Sequence, residues 1–287
     1  MGMLGAHISI AGGPELAIDR GEQIGCQAIQ IFSKNQRQWR ERVLSDATIT
    51  RFQKRFRQSA IQYVVVHDSY LINLANPDQE QLNRSIIAFQ HEIKRAEQLG
   101  AQYLVFHPGS HMDSGEQAGI KRIAESLNRI FNGMQETLIT LLLETTAGQG
   151  TSLGYTFSQL RDIIGLSECQ DRLGICVDTS HIFAAGYDFR TNNDYERLLQ
   201  NIDDELGLNR VKVFHLNDSK TELGSRVDRH ASVGKGKIGI DPFRYLVNDA
   251  RFLNCPMILE TPGGPQQYKK DLSKLRSLIS KEGDRVG

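Results

Sequence analysis

Six short apolar segments, each typical of a β-strand, end in a residue that can bind a metal ion. The segments recur at intervals of 34 to 45 residues, about the length of one strand followed by one helix. They are almost continuously apolar, which indicates strands buried on both faces of a parallel sheet. Their last residues are His67, His107, Glu144, Asp178, His215 and Glu260. This repeat constrains the fold more than any other feature of the chain.

Two further strand-like segments precede these six, at residues 3–9 and 28–33. Amphipathic helical patterns fill the intervals, as between Ile120 and Met134, where apolar residues recur at spacings of three and four. Alternating strands and helices imply right-handed crossovers and a parallel sheet. Eight such units in 287 residues predict an α/β fold, a closed (β/α)₈ TIM barrel that forms a single domain over residues 1–287.

The charge balance gives no sign of a nucleic-acid partner. Thirty-four basic residues cancel thirty-four acidic ones, so the chain creates no global positive field. This weakens a DNA-binding interpretation without excluding it, because bound divalent cations would add positive charge that a residue count does not contain.

The cysteines and the N-terminus favour a cytoplasmic protein. The four cysteines form no CxxC pair, and we expect buried structural thiols in a reducing compartment. The N-terminal residues show no signal peptide, and no apolar run approaches the 18 residues typical of a membrane span. We therefore expect a cytoplasmic protein without a membrane partner.

The carboxyl ends of all strands in a TIM barrel meet on one face, so the six terminal residues should form a ring around one cavity. Two local patterns add His181, three residues after Asp178, and the pair Asp228 and His230. The nine side chains suit zinc or manganese and are enough for about three ions if one carboxylate bridges. The alternative is that these are buried polar residues with ordinary hydrogen bonds.

Five of the eight histidines belong to this set of nine. Of the others, we expect His7 and His111 to support ligands rather than bind metal. His91 lies among polar residues in a helical pattern and should be a solvated surface residue.

Eight motifs spread along the chain are highly specific in combination. They read KNQRQW, HDSYLINL, FHPGSH, TAGQG, DTSHIFAAGYD, HLNDSK, GSRVDRH and ILET. Together they closely resemble the endonuclease IV family of apurinic/apyrimidinic-site nucleases, from Gly5 to about Thr261. The resemblance implies a TIM barrel with three Zn²⁺ ions per chain that repairs double-stranded DNA by cutting it on the 5′ side of abasic sites.

The resemblance also assigns the nine side chains to three zinc ions. The groups are His67, His107 and Glu144; the shared Glu144 with Asp178, His215 and Glu260; and His181, Asp228 and His230. Glu144, beside the attacking water, and Glu260, which can also accept a proton, are the catalytic candidates. The expected products are a 3′-hydroxyl and a 5′-deoxyribose phosphate. We expect a monomer that needs no organic cofactor.

Two loops are implied to enter the DNA and help to expel the abasic nucleotide. Their residues are Asn35, Gln36, Arg37, Gln38 and Trp39 after the second strand, and Tyr70 and Leu71 after the third. Kinking and unstacking a duplex needs such a wedge. By residue chemistry alone, Trp39 and Tyr70 could equally pack the loops, with Arg37 solvated.

The chain departs from the family pattern at two visible positions. Thr145 stands where the family usually has Asn, and Ser180 stands where Cys is common. Neither is a ligand, so we expect these changes to alter at most the surroundings of the metal ions.

Two other functions are compatible with parts of the pattern. A metal-dependent sugar isomerase or epimerase on the same barrel needs only one or two ions, for which Glu144, Asp178, His215 and Glu260 would suffice. It leaves the other five candidate ligands unexplained. A catalytically silent, metal-dependent DNA-binding protein would be expected to have lost a ligand, and none is missing.

Overall fold

The computed structural model describes residues 2–39 and 43–280. Its strands are β1 (Met3–His7), β2 (Ala28–Phe32), β3 (Tyr63–His67), β4 (Tyr103–Phe106), β5 (Thr140–Glu144), β6 (Leu173–Asp178), β7 (Val211–His215), β8 (Asp218–Ser219), β9 (His230–Ala231) and β10 (Pro256–Leu259). Eight of them close a barrel in the order β1-β10-β7-β6-β5-β4-β3-β2, and every pair is parallel. The predicted (β/α)₈ TIM barrel is confirmed.

The helices surround the barrel. They are α1 (Glu15–Gln23), α2 (Asp46–Arg57), α3 (Gln79–Gln98), α4 (Glu116–Asn132), α5 (Phe157–Leu166), α6 (Thr179–Ala185), α7 (Asn192–Leu206), α8 (Asp241–Asn248) and α9 (Gly264–Ser277). Several begin at a side chain that accepts a hydrogen bond from a first-turn amide, as Ser45 does for α2 and Asp78 for α3. Within the described residues, no helix has the length and apolar character required to cross a membrane.

Helix α4 ends earlier than its apolar pattern predicted. The amide of Gly133 donates to the carbonyls of Arg129 and Ile130 and caps the helix, because glycine has little tendency to continue one. Met134 therefore lies beyond the helix, although it still packs half-buried against the core.

The core has two layers, which follow from the alternation of side chains along each strand. One face of each strand packs against the helices. The other fills the barrel interior with a ring of mostly small residues: Ala28, Val65, Val105, Leu142, Cys176, Val213 and Ile258. All four cysteines are free, and three of them, including Cys176 and Cys255, are buried as expected.

Two elements that the sequence did not predict complete the C-terminal face. The strands β8 and β9 pair antiparallel, with Ser219 opposite His230. The buried carboxylate of Asp218 accepts hydrogen bonds from the amides of Gly236 and Ile238. These contacts fold the long segment after β7 back over the mouth of the barrel.

Candidate metal centre

The six strand-end residues lie directly above the barrel interior. Each stands two residues after an interior residue of the same strand, so strand alternation points both side chains inward. His107 and Glu260 lie one residue beyond the ends of β4 and β10 and keep this alternation. Three groups of side chains come together on this face of the barrel.

The first group is His67, His107 and Glu144. The Oε2 atom of Glu144 lies 3.0 Å from Nε2 of His67 and 3.1 Å from Nε2 of His107. The Nδ1 atom of His67 donates to the carbonyl of Asp68 at 2.9 Å, which leaves Nε2 to face the cavity. One ligand atom from each of the three residues lies within 4.8 Å of the others, so the group could hold one ion.

The second group is Glu144, Asp178, His215 and Glu260, whose ligand atoms also lie within 4.8 Å of one another. The Nδ1 atom of His215 is 3.0 Å from Oε1 of Glu144, 3.3 Å from Oε2 of Glu260 and 3.7 Å from Oδ2 of Asp178. The two oxygens of Glu144 thus face different groups, which is the arrangement that a bridging carboxylate requires.

The third group surrounds His181 and His230. Nε2 of His181 lies 3.2 Å from Oδ2 of Asp228, and Nε2 of His230 lies 3.2 Å from Oδ1 of the same carboxylate. Asp178 also belongs to this group, since it lies with His181 and His230 within 4.8 Å. The sequence had assigned Asp178 to the second group alone.

The charges in the ring stabilise one another. Burial lowers the pKa of His67, but the hydrogen bond and charge of Glu144 outweigh it and raise the pKa to about 10. Burial likewise lowers the pKa of His230, but Asp178 and Asp228 raise it to about 9. Neighbouring histidines hold the pKa of Glu144 well below its usual value despite burial. A metal ion must therefore displace protons from this ring.

Several side chains outside the ligand set hold it in place. The buried amide of Asn217 donates to Oδ2 of Asp178 at 2.6 Å and accepts from the amide of Glu260 at 2.9 Å. Thr145 accepts from the amide of Asp178 through its hydroxyl, and its carbonyl accepts from Nδ1 of His181 at 2.8 Å. The departure at Thr145 therefore affects the contact with Asp178, since the carbonyl that accepts from His181 belongs to the backbone. Asn217 is not among the residues predicted from the sequence, although it stands two residues after His215.

The remaining histidines differ in their environments. Nδ1 of His7 lies 3.1 Å from Oε1 of Glu260, which agrees with a supporting role. His91 is exposed on α3, as expected. His111 instead accepts a hydrogen bond from the amide of Gly115 in its own turn. The supporting role expected for His111 stays a prediction.

The two loops that the resemblance implies enter DNA, here called the recognition loops, are residues 34–39 after β2 and residues 68–72 after β3. The Tyr70 side chain is 61% exposed, and its ring centroid lies 5.9 Å from that of His67 and 6.1 Å from that of His107. Asn35, Arg37 and Gln38 are exposed, and Gln36 and Leu71 are half-buried. Residues 40–42 of the segment after β2 lie outside the described residues.

Trp39 packs its loop. Its indole is half-buried against the core, and the guanidinium of Arg84 lies 4.2 Å from the ring centroid. The hydroxyl of Ser69 donates to the carbonyl of Gln36 at 2.7 Å and joins the two recognition loops. Of the two aromatic candidates for packing, Trp39 fulfils that role and Tyr70 stands exposed at the rim.

A cavity of about 450 Å³ lies beside the first and third groups. Its walls include His107, His181 and Asp228 from the ring, with Tyr70 and Arg229 at the sides. A cavity of this size is typical of a small-molecule binding site.

Comparison with known proteins gives a consistent result. Residues 18–278 match the family described as xylose isomerase-like TIM barrel. The chain is 50% identical over 282 residues to a probable endonuclease 4 of Chloroflexus aggregans, covering 97% of this chain and 98% of that protein. The crystal structure of endonuclease IV from Thermus thermophilus matches with a TM-score of 0.86 and 35% identity, covering 96% of this chain and 98% of that one.

A D-tagatose 3-epimerase-like protein matches with a TM-score of 0.77 and covers 99% of this chain and all of its own. Its identity to this chain is only 16%, so the likeness extends to the fold alone. The extensive identity to the endonucleases 4, in contrast, covers nearly the whole chain. The chain therefore belongs to the endonuclease IV family, within the xylose isomerase-like TIM barrels.

Proposed function

We propose that this protein is a zinc-dependent DNA repair endonuclease of base excision repair. It hydrolyses the phosphodiester 5′ to apurinic/apyrimidinic sites in double-stranded DNA and leaves a 3′-hydroxyl and a 5′-deoxyribose phosphate. The observation that carries the proposal is Glu144, whose two oxygens face two different groups of histidines and carboxylates. Membership of the endonuclease IV family supports the activity. The protein acts as a single-domain monomer in the cytoplasm without an organic cofactor.

The donor set fits three zinc ions per chain. Imidazole nitrogens and carboxylate oxygens are ligands that zinc prefers, and three groups of such atoms are present. Bound zinc would lower the pKa of water, neutralise the phosphate and stabilise the departing oxygen. The ligands are the nine side chains His67, His107, Glu144, Asp178, His181, His215, Asp228, His230 and Glu260.

The protein's own side chains orient the substrate and move the proton. Glu144 is buried and Glu260 is half-buried in the ring, where Asn217 fixes the backbone of Glu260. Glu144 bridges the first two groups beside the attacking water, and Glu260 is the carboxylate that can also accept a proton from that water. Tyr70 stands at the rim of the cavity, where it can shield the reacting phosphate from bulk water.

The recognition loops contact the DNA around the abasic site. The contacting residues are Asn35, Gln36, Arg37, Tyr70 and Leu71. The exposure of Arg37 and the position of Tyr70 beside His67 and His107 support this assignment. An abasic nucleotide lacks a base to stack and pair, so it costs less to extrude than an intact one.

The direct test is incision of a duplex that contains one tetrahydrofuran abasic-site analogue. We expect one cut on its 5′ side, a 3′ end that a polymerase can extend, and no cut in undamaged duplex. A folded protein that holds three zinc ions but does not incise would overturn the proposal. Epimerisation of a ketose by that protein would favour the isomerase alternative, which needs only the second group.

Metal analysis tests the stoichiometry independently. The double variant Asp228→Ala with His230→Ala should lower bound zinc from about three to about two ions while the barrel stays folded. The surface variant His91→Ala should leave the metal content unchanged. An unchanged zinc content in the double variant would remove Asp228 and His230 from the ligand set.

A further inference from the structure

The ring above the barrel interior has two members that are not candidate ligands. Gln30 on β2 stands two residues after the interior residue Ala28, and His7 on β1 stands two residues after Gly5. Both side chains point to the same face as the ligands. Gln30 is fully buried, with an exposure of 0%, although the rest of its strand is apolar. A buried amide at this position needs partners, and it finds them among the ligands.

We infer that Gln30 is a positioning residue of the metal centre that determines which ring nitrogen of His215 is available to a metal ion and holds Glu260 beside it. The inference rests on the proposed metal-dependent function and adds a residue to it.

The orientation of the Gln30 amide follows from its neighbours. One end of the amide lies 2.7 Å from Oε1 of Glu260. An ionised carboxylate only accepts hydrogen bonds, so this end is the NH₂ group. The same nitrogen lies 3.1 Å from Nδ1 of His7. The carbonyl end, Oε1, consequently faces the ring of His215.

The amide carbonyl then fixes the tautomer of His215. Oε1 of Gln30 lies 2.8 Å from Nε2 of His215 and can only accept, so Nε2 carries the proton. A histidine that binds a metal ion is a neutral imidazole with one N–H, so in the metal-loaded protein the lone pair lies on Nδ1. Nδ1 is the nitrogen that faces Glu144 at 3.0 Å and Glu260 at 3.3 Å. Gln30 thereby directs the ligating nitrogen of His215 into the second group.

In two other histidine ligands, a backbone carbonyl determines which ring nitrogen carries the proton. Nδ1 of His67 donates to the carbonyl of Asp68, and Nδ1 of His181 donates to the carbonyl of Thr145. Both residues therefore present Nε2 to the ring. His215 presents the opposite nitrogen, and the group that accepts from its Nε2 is the side chain of Gln30. The protein supplies this contact from a strand 185 residues away in sequence.

Removing the amide should release the wrong tautomer. Without an acceptor at Nε2, the proton of His215 can move to Nδ1, where the N–H donates a hydrogen bond to Glu144 at 3.0 Å. That proton then occupies the position that the metal ion would take. Glu260 would lose its hydrogen bond from the same amide. Both changes weaken one ion of the three, since the first and third groups do not contain His215.

The test compares Gln30→Met with Gln102→Met. Methionine keeps the length of the side chain without its hydrogen bonds. The control makes the same change at the opposite end of the barrel, where Gln102 accepts from the amide of Val64. Competition with a chromophoric chelator should show that one zinc ion of Gln30→Met binds about 10- to 100-fold more weakly, with the other affinities unchanged. The control should bind all its zinc like the unmodified protein.

A spectroscopic measurement separates positioning from loss of structure. Long-range ¹H–¹⁵N spectra of histidine-labelled, zinc-loaded protein report which nitrogen of His215 carries a proton. We expect Nε2–H in the unmodified protein and loss of this state in Gln30→Met. Gln30→Glu keeps an acceptor for Nε2, so His215 should retain its tautomer in that variant.

Three results would overturn the inference: unchanged zinc affinities in Gln30→Met, equal weakening of all the ions, or loss of the tautomer in Gln30→Glu. Failure of the proposed function would look different. The unmodified protein would then bind no zinc or would not incise abasic-site duplex, whichever residue occupied position 30.

Discussion

The metal centre and the two recognition loops share one face of the barrel but are held in place in different ways. Each ligand of the first two groups stands at the end of a barrel strand, so the hydrogen-bonded sheet fixes its position. The recognition loops leave the barrel, and contacts with residues far away in sequence hold them. A site on strand ends is positioned by the fold itself, whereas a site on loops needs dedicated supports.

Lys34 is the main support of the first recognition loop. Its buried ammonium donates to the carbonyls of Gln38 and Trp39 at 2.9 and 3.3 Å, and it lies 3.6 Å from the buried carboxylate of Glu92 on α3. Arg37 is exposed at the tip of the same loop. The loop thus combines a rigid base with an exposed tip, the arrangement that the proposed wedge requires.

The largest expected effect is at the centre of the ring. Glu144→Gln keeps the shape of the side chain but removes a negative charge shared by two groups, so both ions should bind more weakly. We predict at least about a 100-fold loss of abasic-site incision with the fold retained, because losses of supporting contacts alone reach 10- to 100-fold. The rate is measured with saturating duplex and circular dichroism monitors the fold.

Glu136→Gln, the same change at an exposed position, provides the control and should cleave normally. Near-normal turnover in purified Glu144→Gln would remove this residue from the mechanism. The metal ring would then be no more sensitive to substitution than the recognition loops.

The second prediction concerns the tips of the recognition loops. Replacing both Arg37 and Tyr70 with Ala should leave zinc content unchanged, since neither lies among the ligands. Incision of a paired abasic-site duplex should fall about tenfold or more, because these residues contribute to the few kcal/mol needed to extrude the nucleotide. The loss should be smaller on a substrate whose abasic site is already unpaired.

The variant Arg57→Ala, on the outer helix α2, controls for the loss of a surface positive charge. An equal loss on paired and unpaired substrates would indicate weaker phosphate contacts instead of a missing wedge.

The two regions also differ in how much of them the sequence predicts. Strand ends converge in any TIM barrel, so recognising a strand that ends in His107 or Glu144 is enough to place that ligand. The same logic does not find Gln30, because a glutamine in AIQIF carries no metal-binding signal of its own. Its position two residues after the interior residue Ala28 is the signal that identifies it.

Predictions that depend on long-range packing were less complete. The pairing of Trp39 with Arg84, and the place of Asp178 in two groups, depend on side-chain directions that residue spacing does not contain. The contact of His111 with the amide of Gly115 likewise depends on the path of the turn after His107. Sequence spacing locates a residue on an element, and packing determines what its side chain contacts.

A third prediction separates the base of the first recognition loop from its tip. Lys34→Met removes the ammonium that holds the carbonyls of Gln38 and Trp39, so the loop should be less well positioned for DNA. We expect KM for the abasic-site duplex to rise about fivefold, which corresponds to about 1 kcal/mol, the net worth of one hydrogen bond. Zinc content and kcat should not change.

Lys54→Met, at an exposed position of α2, is the matched control for the loss of a lysine. A changed zinc content in Lys34→Met would mean that the first recognition loop and the metal ring depend on each other, and that they are not held in place separately.

The smallest expected effect is on the free energy of unfolding, at Ser180, which precedes the candidate ligand His181. Its side chain is fully buried, and its Oγ has no hydrogen-bond partner among the described residues. A buried hydroxyl without a partner is destabilising, so Ser180→Ala should raise the free energy of unfolding by about 1 kcal/mol. Ser180→Cys should do the same while filling more of the space. Urea denaturation of the zinc-loaded protein measures the change.

Ser167→Ala provides a control of opposite sign. Ser167 is equally buried, but its hydroxyl donates to the carbonyl of Ile163 at 2.7 Å. Losing that bond should lower the free energy of unfolding by about 1 kcal/mol. If both substitutions destabilise the protein, Ser180 has a partner in solution, such as an ordered water, and the ring is better supported than its contacts indicate. Opposite signs would mean that the ring keeps its geometry despite one unsatisfied group, because the strands beneath it determine that geometry.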